Sequence, residues 1–106
     1  MVTLNNNTIV FDNEKTTIED KRRFEAQLTL LINSGHTEIF VDIGMTSFLP
    51  SELLGLLMWK KSELKKKGIE FKITRISQVL KSLFDDGRIS DYLDIRSAEV
   101  TPFPDV

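Results

Sequence analysis

The segment Ile39-Phe40-Val41-Asp42-Ile43 carries apolar side chains at positions that point to both faces of a strand. A run of that kind is expected to be covered on both faces and to lie near the centre of a parallel sheet. Helix-length segments flank it. Before it, Thr17 stands as an N-cap with Asp20 three residues on, and Phe24, Leu28, Leu31 and Ile32 follow at helical spacing until Gly35. After the loop from Gly44 to Pro50, a second helix is predicted from Ser51 to Lys67. Lys65-Lys66-Lys67 suits the negative end of its dipole, and Gly68 stops it. Ile69, Phe71 and Ile73 then alternate with Glu70 and Lys72, as in a strand with one wetter face.

The remaining elements are shorter. Val2 to Leu4 and Thr8 to Phe11 read as a hairpin turned at Asn5-Asn6-Asn7. Ser77 caps a third helix with Val79, Leu80, Leu83 and Phe84, ended by Gly87. Ile89, Tyr92, Leu93 and Ile95 form a last apolar segment, a further short helix and a strand end. Thr101 to Val106, with Pro102, Phe103 and Pro104, reads as a tail. The predicted order is β-β-α-β-α-β-α. Strands joined through a helix are parallel with right-handed crossovers. The expectation is therefore one α/β domain over residues 1–100, a mixed sheet with helices packed on it, and a tail over 101–106.

Several chemistries find no support in the chain. It has 106 residues, no cysteine and a single histidine, His36, in a predicted loop. Disulfides, thiolate nucleophiles and most zinc sites are therefore excluded, and a lone loop histidine lacks the partner that catalysis needs. Neither G-x-G-x-x-G nor a P-loop occurs. Asp85-Asp86-Gly87 lacks the spaced oxygen ligands of a calcium loop and reads as a helix-ending turn. The net charge of −2 gives no basic footprint for nucleic acid. No secretory signal and no apolar run of about 20 residues is present, so direct membrane insertion is not expected and a cytoplasmic location is. The expectation is a protein that is not an enzyme and uses no cofactor or metal. Asp42-Ile43-Gly44-Met45 looks like the phospho-acceptor strand of receiver domains, but only one predicted helix precedes Asp42, where a receiver has two βα units.

The stretch from Ile39 to Leu57 resembles the STAS domain family, whose members include bacterial anti-sigma factor antagonists. Asp42 matches the family's strand aspartate, and Phe48 and Leu49 match its apolar pair. Ser51 falls on the serine that many members have phosphorylated, and Leu54, Gly55 and Leu57 match its helix pattern. The resemblance extends over roughly Thr8 to Ile95 and agrees with the predicted order of elements. Pro50, Glu52 and Leu53 stand where the family has an aspartate, a small hydroxyl residue and a glycine. The resemblance implies a STAS-like fold and a regulatory protein that binds an anti-sigma serine kinase. Phosphorylation at Ser51 would release it, and a phosphatase would reverse the switch. The alternative is a STAS-type non-catalytic subunit or scaffold, such as one bound to a transporter ATPase, that is not phosphorylated.

Serine before an apolar run is also a favoured N-cap, and that structural role for Ser51 is compatible with modification. On a helix with about 100° between residues, Leu53, Leu54, Leu57 and Leu64 share an arc assigned to the core, together with Phe48 in the loop. Leu56 and Trp59 fall on a neighbouring flank. With Pro50, Ser51 and Glu52 they make the candidate partner surface, although Trp59 could equally pack on an adjacent element.

Overall fold

Asn6 takes φ = 59°, a left-handed conformation that asparagine tolerates, and it closes the hairpin of β1 (Val2–Asn5) and β2 (Thr8–Phe11). The computed structural model describes residues 1–103. In the first helix, α1 (Ile18–Asn33), the Thr17 hydroxyl accepts the Asp20 N–H while the Asp20 carboxylate accepts the Thr17 N–H, a reciprocal capping box. Gly35, at φ = 84°, turns the chain into β3 (Glu38–Ile43). Then come α2 (Ser51–Lys66), β4 (Glu70–Ser77), α3 (Gln78–Asp86), α4 (Ile89–Leu93), a 3-10 turn (Ile95–Ser97) and β5 (Glu99–Thr101). Ser77 caps α3 by accepting the Leu80 N–H, and Gly87 ends that helix.

The strands lie in chain order, β1-β2-β3-β4-β5, with β1 antiparallel to β2 and every later pair parallel. The predicted centre of the sheet is therefore found at β3. Strands laid down in sequence by right-handed crossovers put all their helices on the same face. The burial pattern agrees. Ile39, Val41 and Ile43 are fully buried in one cluster with Ile9, Phe71 and Ile73 of the sheet and with Phe24, Leu57, Leu80 and Phe84 of three helices. Phe40 and Val10 point the other way, are half-buried, and lie outside that cluster.

Three expectations are corrected. The sheet is covered on one face and not on both, because β3 never has to exchange neighbours across a switch in strand order. Strand β4 runs to Ser77, beyond the apolar alternation that ends at Ile73. The register slips between Val41 and Asp42, which pair with Ile73 and Arg75, so Thr74 is passed over and the buried row resumes at Ile76. The predicted seven elements are followed by α4, the 3-10 turn and β5, so the chain does not become a tail at Thr101. That residue ends β5 and is buried, its hydroxyl donating to the Gly44 carbonyl. Pro102 is exposed and Phe103 half-buried, and residues 104–106 of the expected tail lie outside the described residues. No helix among the described residues is long and apolar enough to cross a membrane.

Candidate functional site

In a sheet of parallel strands the loops at the carboxyl ends gather at one pole, with the helix N-termini that follow them. Here these are the segment from Asp12 to Thr17 after β2, the segment from Gly44 to Pro50 after β3, and the junction of β4 with α3. The first two segments are tied together. The N–H groups of Ser47 and Phe48 both donate to the Glu14 carbonyl, at 2.7 and 3.2 Å. The Thr16 N–H and hydroxyl both donate to the Phe48 carbonyl, and the Thr46 hydroxyl donates to the Asn13 carbonyl. The Ser77 hydroxyl closes the set by donating to the Thr46 carbonyl. These bonds convert a connecting loop into an extra, short β-bridge between Lys15 and Phe48.

Asp42 anchors the base of that loop. One carboxylate oxygen accepts the Gly44 N–H at 2.9 Å, and the other accepts Arg75 Nη1 at 3.1 Å. Arg75 Nε in turn lies 3.6 Å from Glu99 of β5. Gly44 is required by contact rather than by φ. A Cβ there would stand 2.8 Å from Thr101 Cγ2 and 3.2 Å from Asp42 Oδ1. The Asp-x-Gly spacing was visible in the sequence, and its partners across β4 and β5 were not.

The tied loop decides where the candidate residues stand. Leu49 turns inward and is buried. Its neighbour Phe48, expected in the core, turns outward and is 52% exposed, since successive side chains of an extended segment point opposite ways. Met45 of the same loop and Ile18 and Val79 in the first turns of α1 and α3 are also exposed large apolar side chains. Their exposure carries no signature in the sequence. A small cleft of about 130 Å³ separates the starts of α1 and α2, lined by Thr17, Ile18, Lys21, Pro50, Glu52 and Leu53.

Ser51 is exposed at the start of α2, but it is not the N-cap. Pro50 holds that position at φ = −59° and ψ = 148°, and its carbonyl accepts the Leu53 and Leu54 N–H groups at 3.0 Å each. Proline's ring fixes the φ required, so the helix begins one residue earlier than the serine rule suggests. Glu52 is exposed beside Ser51, where its charge suits the positive end of the helix.

Further along α2, the expected pairing of Leu56 with Trp59 fails. Leu56 belongs to the core at 9% exposed, while Leu54, assigned to the core, is half-buried. The two lie on opposite shoulders of the buried arc, each about 80° from its centre, so the helix pattern cannot rank them. Trp59 is 59% exposed, with the Lys60 ammonium 4.9 Å from its ring centroid. Ser51, Gly55 and Trp59 follow at four-residue spacing on the exposed face, with about 12 Å along the axis from first to last. Pro50, Ser51, Glu52 and Trp59 are thus brought to one surface, which Phe48 and Met45 extend at the loop, and Leu56 is not part of it. His36 is half-buried in the loop between α1 and β3, on the far side of the sheet from this pole. Among the described residues no group of three or more His, Cys, Asp or Glu side chains is placed to hold a metal ion. No protein-family model matches the chain, and no curated protein matches it.

Proposed function

We propose that this chain is a non-enzymatic, STAS-like regulatory domain that binds a protein partner through the pole carrying Ser51. The partner proposed is an anti-sigma serine kinase, with phosphorylation of Ser51 as the release switch. One observation carries the reading: Phe48 is exposed on a loop whose backbone is pinned to Glu14 and Thr16, three residues before exposed Ser51. An aromatic side chain carried on a pinned backbone has less chain entropy to lose on binding, which suits an interface anchor. The one-faced mixed sheet and the order of its first elements are in keeping with the resemblance in the sequence.

A serine hydroxyl free of the cap position is open to a kinase. A phosphate there adds about −2 of charge at the contact surface while the helix dipole favours it. Glu52 acts in the other direction, since its carboxylate already occupies the first turn. That feature, with proline in place of the aspartate, favours a second reading, a non-catalytic subunit or scaffold that is never phosphorylated, for example on a transporter ATPase.

Intact-mass analysis after incubation with the cognate kinase and ATP separates the two. The first reading expects the mass of one phosphoryl group, lost in Ser51→Ala, with Ser51→Asp binding weakly and Ser51→Ala binding persistently. An unchanged mass with tight binding would leave the scaffold reading standing alone.

A further inference from the structure

Strand β4 is only half paired on its outer side. It begins at Glu70, but β5 pairs only with Arg75 to Ser77. In a parallel ladder, residues alternate in the neighbour to which they turn their N–H and C=O groups. The Glu70 N–H donates to the Thr37 carbonyl on the β3 side, at 2.8 Å. Lys72 therefore also faces β3, and Phe71 turns its backbone groups outward. The chain marks that vacancy with its own side chain. Lys61 Nζ, from α2, donates to the Phe71 carbonyl at 2.7 Å, in the position a neighbouring strand's N–H would take.

A groove of about 470 Å³ runs along this edge, between the second half of α2 and the segment from α4 to the 3-10 turn. Tyr92 forms its far wall and is half exposed. The charges of the groove are unevenly satisfied. Glu70 is paired with Lys72 at 3.6 Å and Asp94 with Arg96 at 3.5 Å. Lys61 and Lys65 have no carboxylate partner among the described residues, against one acid of the groove without an ion pair, Asp91, and α2 continues into exposed Lys66. A lysine beside an edge is a common guard against strand addition. Here the Phe71 carbonyl keeps a second lone pair, and the guard itself supplies positive charge.

We propose that the first half of β4 is a docking edge for an extended, acidic segment of a partner protein, which adds as a strand in line with β5. Its backbone exchanges hydrogen bonds with Phe71, and its acidic side chains on the helix face meet Lys61 and Lys65. Its remaining side chains point to the opposite, open face of the sheet. Because alternate side chains of a strand point to opposite faces, the required pattern is acidic and β-branched in alternation. The site lies at the opposite end of the sheet from Ser51 and is independent of the function proposed for that pole.

The test is a titration of the 15N-labelled chain with a capped hexapeptide of alternating Glu and Val, followed by amide correlation spectra. Binding should shift the amides of Phe71, Lys72 and Tyr92, slow hydrogen exchange at Phe71, and leave Ser51 and Phe48 unmoved. Exposed Lys65→Gln should weaken it about fivefold and lower the melting temperature only slightly, the lost charge also having suited the C-terminal end of α2. The same peptide with proline in place of its central valine should not bind, since it lacks the donor. Equal binding by the proline peptide would overturn strand addition in favour of diffuse charge attraction. No shift at millimolar peptide would overturn the proposal outright. The same shifts from a short oligothymidylate at lower concentration would overturn it in favour of a phosphate-binding surface.

Discussion

Leu56 and Trp59 stand one helical turn apart and meet opposite surroundings, so they separate stability from binding. Leu56→Ala should cost about 2–4 kcal/mol in chemical denaturation, as expected for a truncation in a packed core. Trp59→Ala should change stability by no more than about 0.5 kcal/mol, because the residue is largely exposed. If the surface on α2 is the contact, the same variant weakens partner affinity in a calorimetric titration. Asp20 is a different case, a buried acid whose charge is held by its cap. Burial raises its pKa, but the Thr17 N–H, the Asn13 amide, the Thr17 hydroxyl and the Met1 ammonium together outweigh this and hold it below the ordinary value. A depressed pKa in the folded state contributes stability that is complete above the unfolded carboxyl's pKa and is lost as the pH falls through the folded one. Asp20→Asn should therefore lose stability at neutral pH and show a shallower decline below about pH 4 than the wild type, followed by thermal melts across that range.

At the scale of the element, the two glycines that the tied loop and α2 carry should respond in opposite directions. Gly55 lies mid-helix and exposed, and a Cβ there would meet nothing within 4 Å. Gly55→Ala should raise stability by about 1 kcal/mol through helix propensity alone. Gly44→Ala should lower it, because the added methyl group collides with Thr101 and crowds the Asp42 carboxylate. Melting temperatures of the two variants would check both signs, and stabilisation by Gly44→Ala would show that β5 can withdraw from the loop. The caps and stops of the elements were legible in the sequence at Thr17, Ser77, Gly35 and Gly68, because each acts through its own few neighbours. The start of α2 at Ser51 was legible too, but its N-cap is Pro50 and not Ser51, since proline satisfies a cap through its backbone and leaves no side-chain signature. The slipped register at Thr74 was likewise hidden. Its consequence, the meeting of Arg75 with Asp42, is a contact across strands.

For the whole molecule, the one-faced sheet predicts a gradient of cost along a single strand. Ile39 belongs to the core beneath the helices, and Phe40 looks out from the bare face. Ile39→Ala should cost about 3 kcal/mol or more. Phe40→Ala should cost clearly less, although phenylalanine is the larger residue. Equal costs in urea denaturation would mean that the second face is covered after all. Asp42, 8% exposed in the same strand, has its ion-pair partner in Arg75 of the neighbouring strand.

Periodicity and punctuation determined the α/β class, the place of the first seven elements and most of the core, because each rests on side chains a few residues apart. They could not reveal how many faces of β3 are covered, because an apolar residue half-buried on a bare sheet and one fully buried beneath a helix look alike in a sequence. They could not reveal that Phe48 faces out, Leu56 in, or that Thr101 ends a strand. Those outcomes depend on which loop pairs with which, here Glu14 with Phe48 and Thr101 with Gly44, and such pairings between residues more than thirty positions apart exist only once the chain has closed on itself.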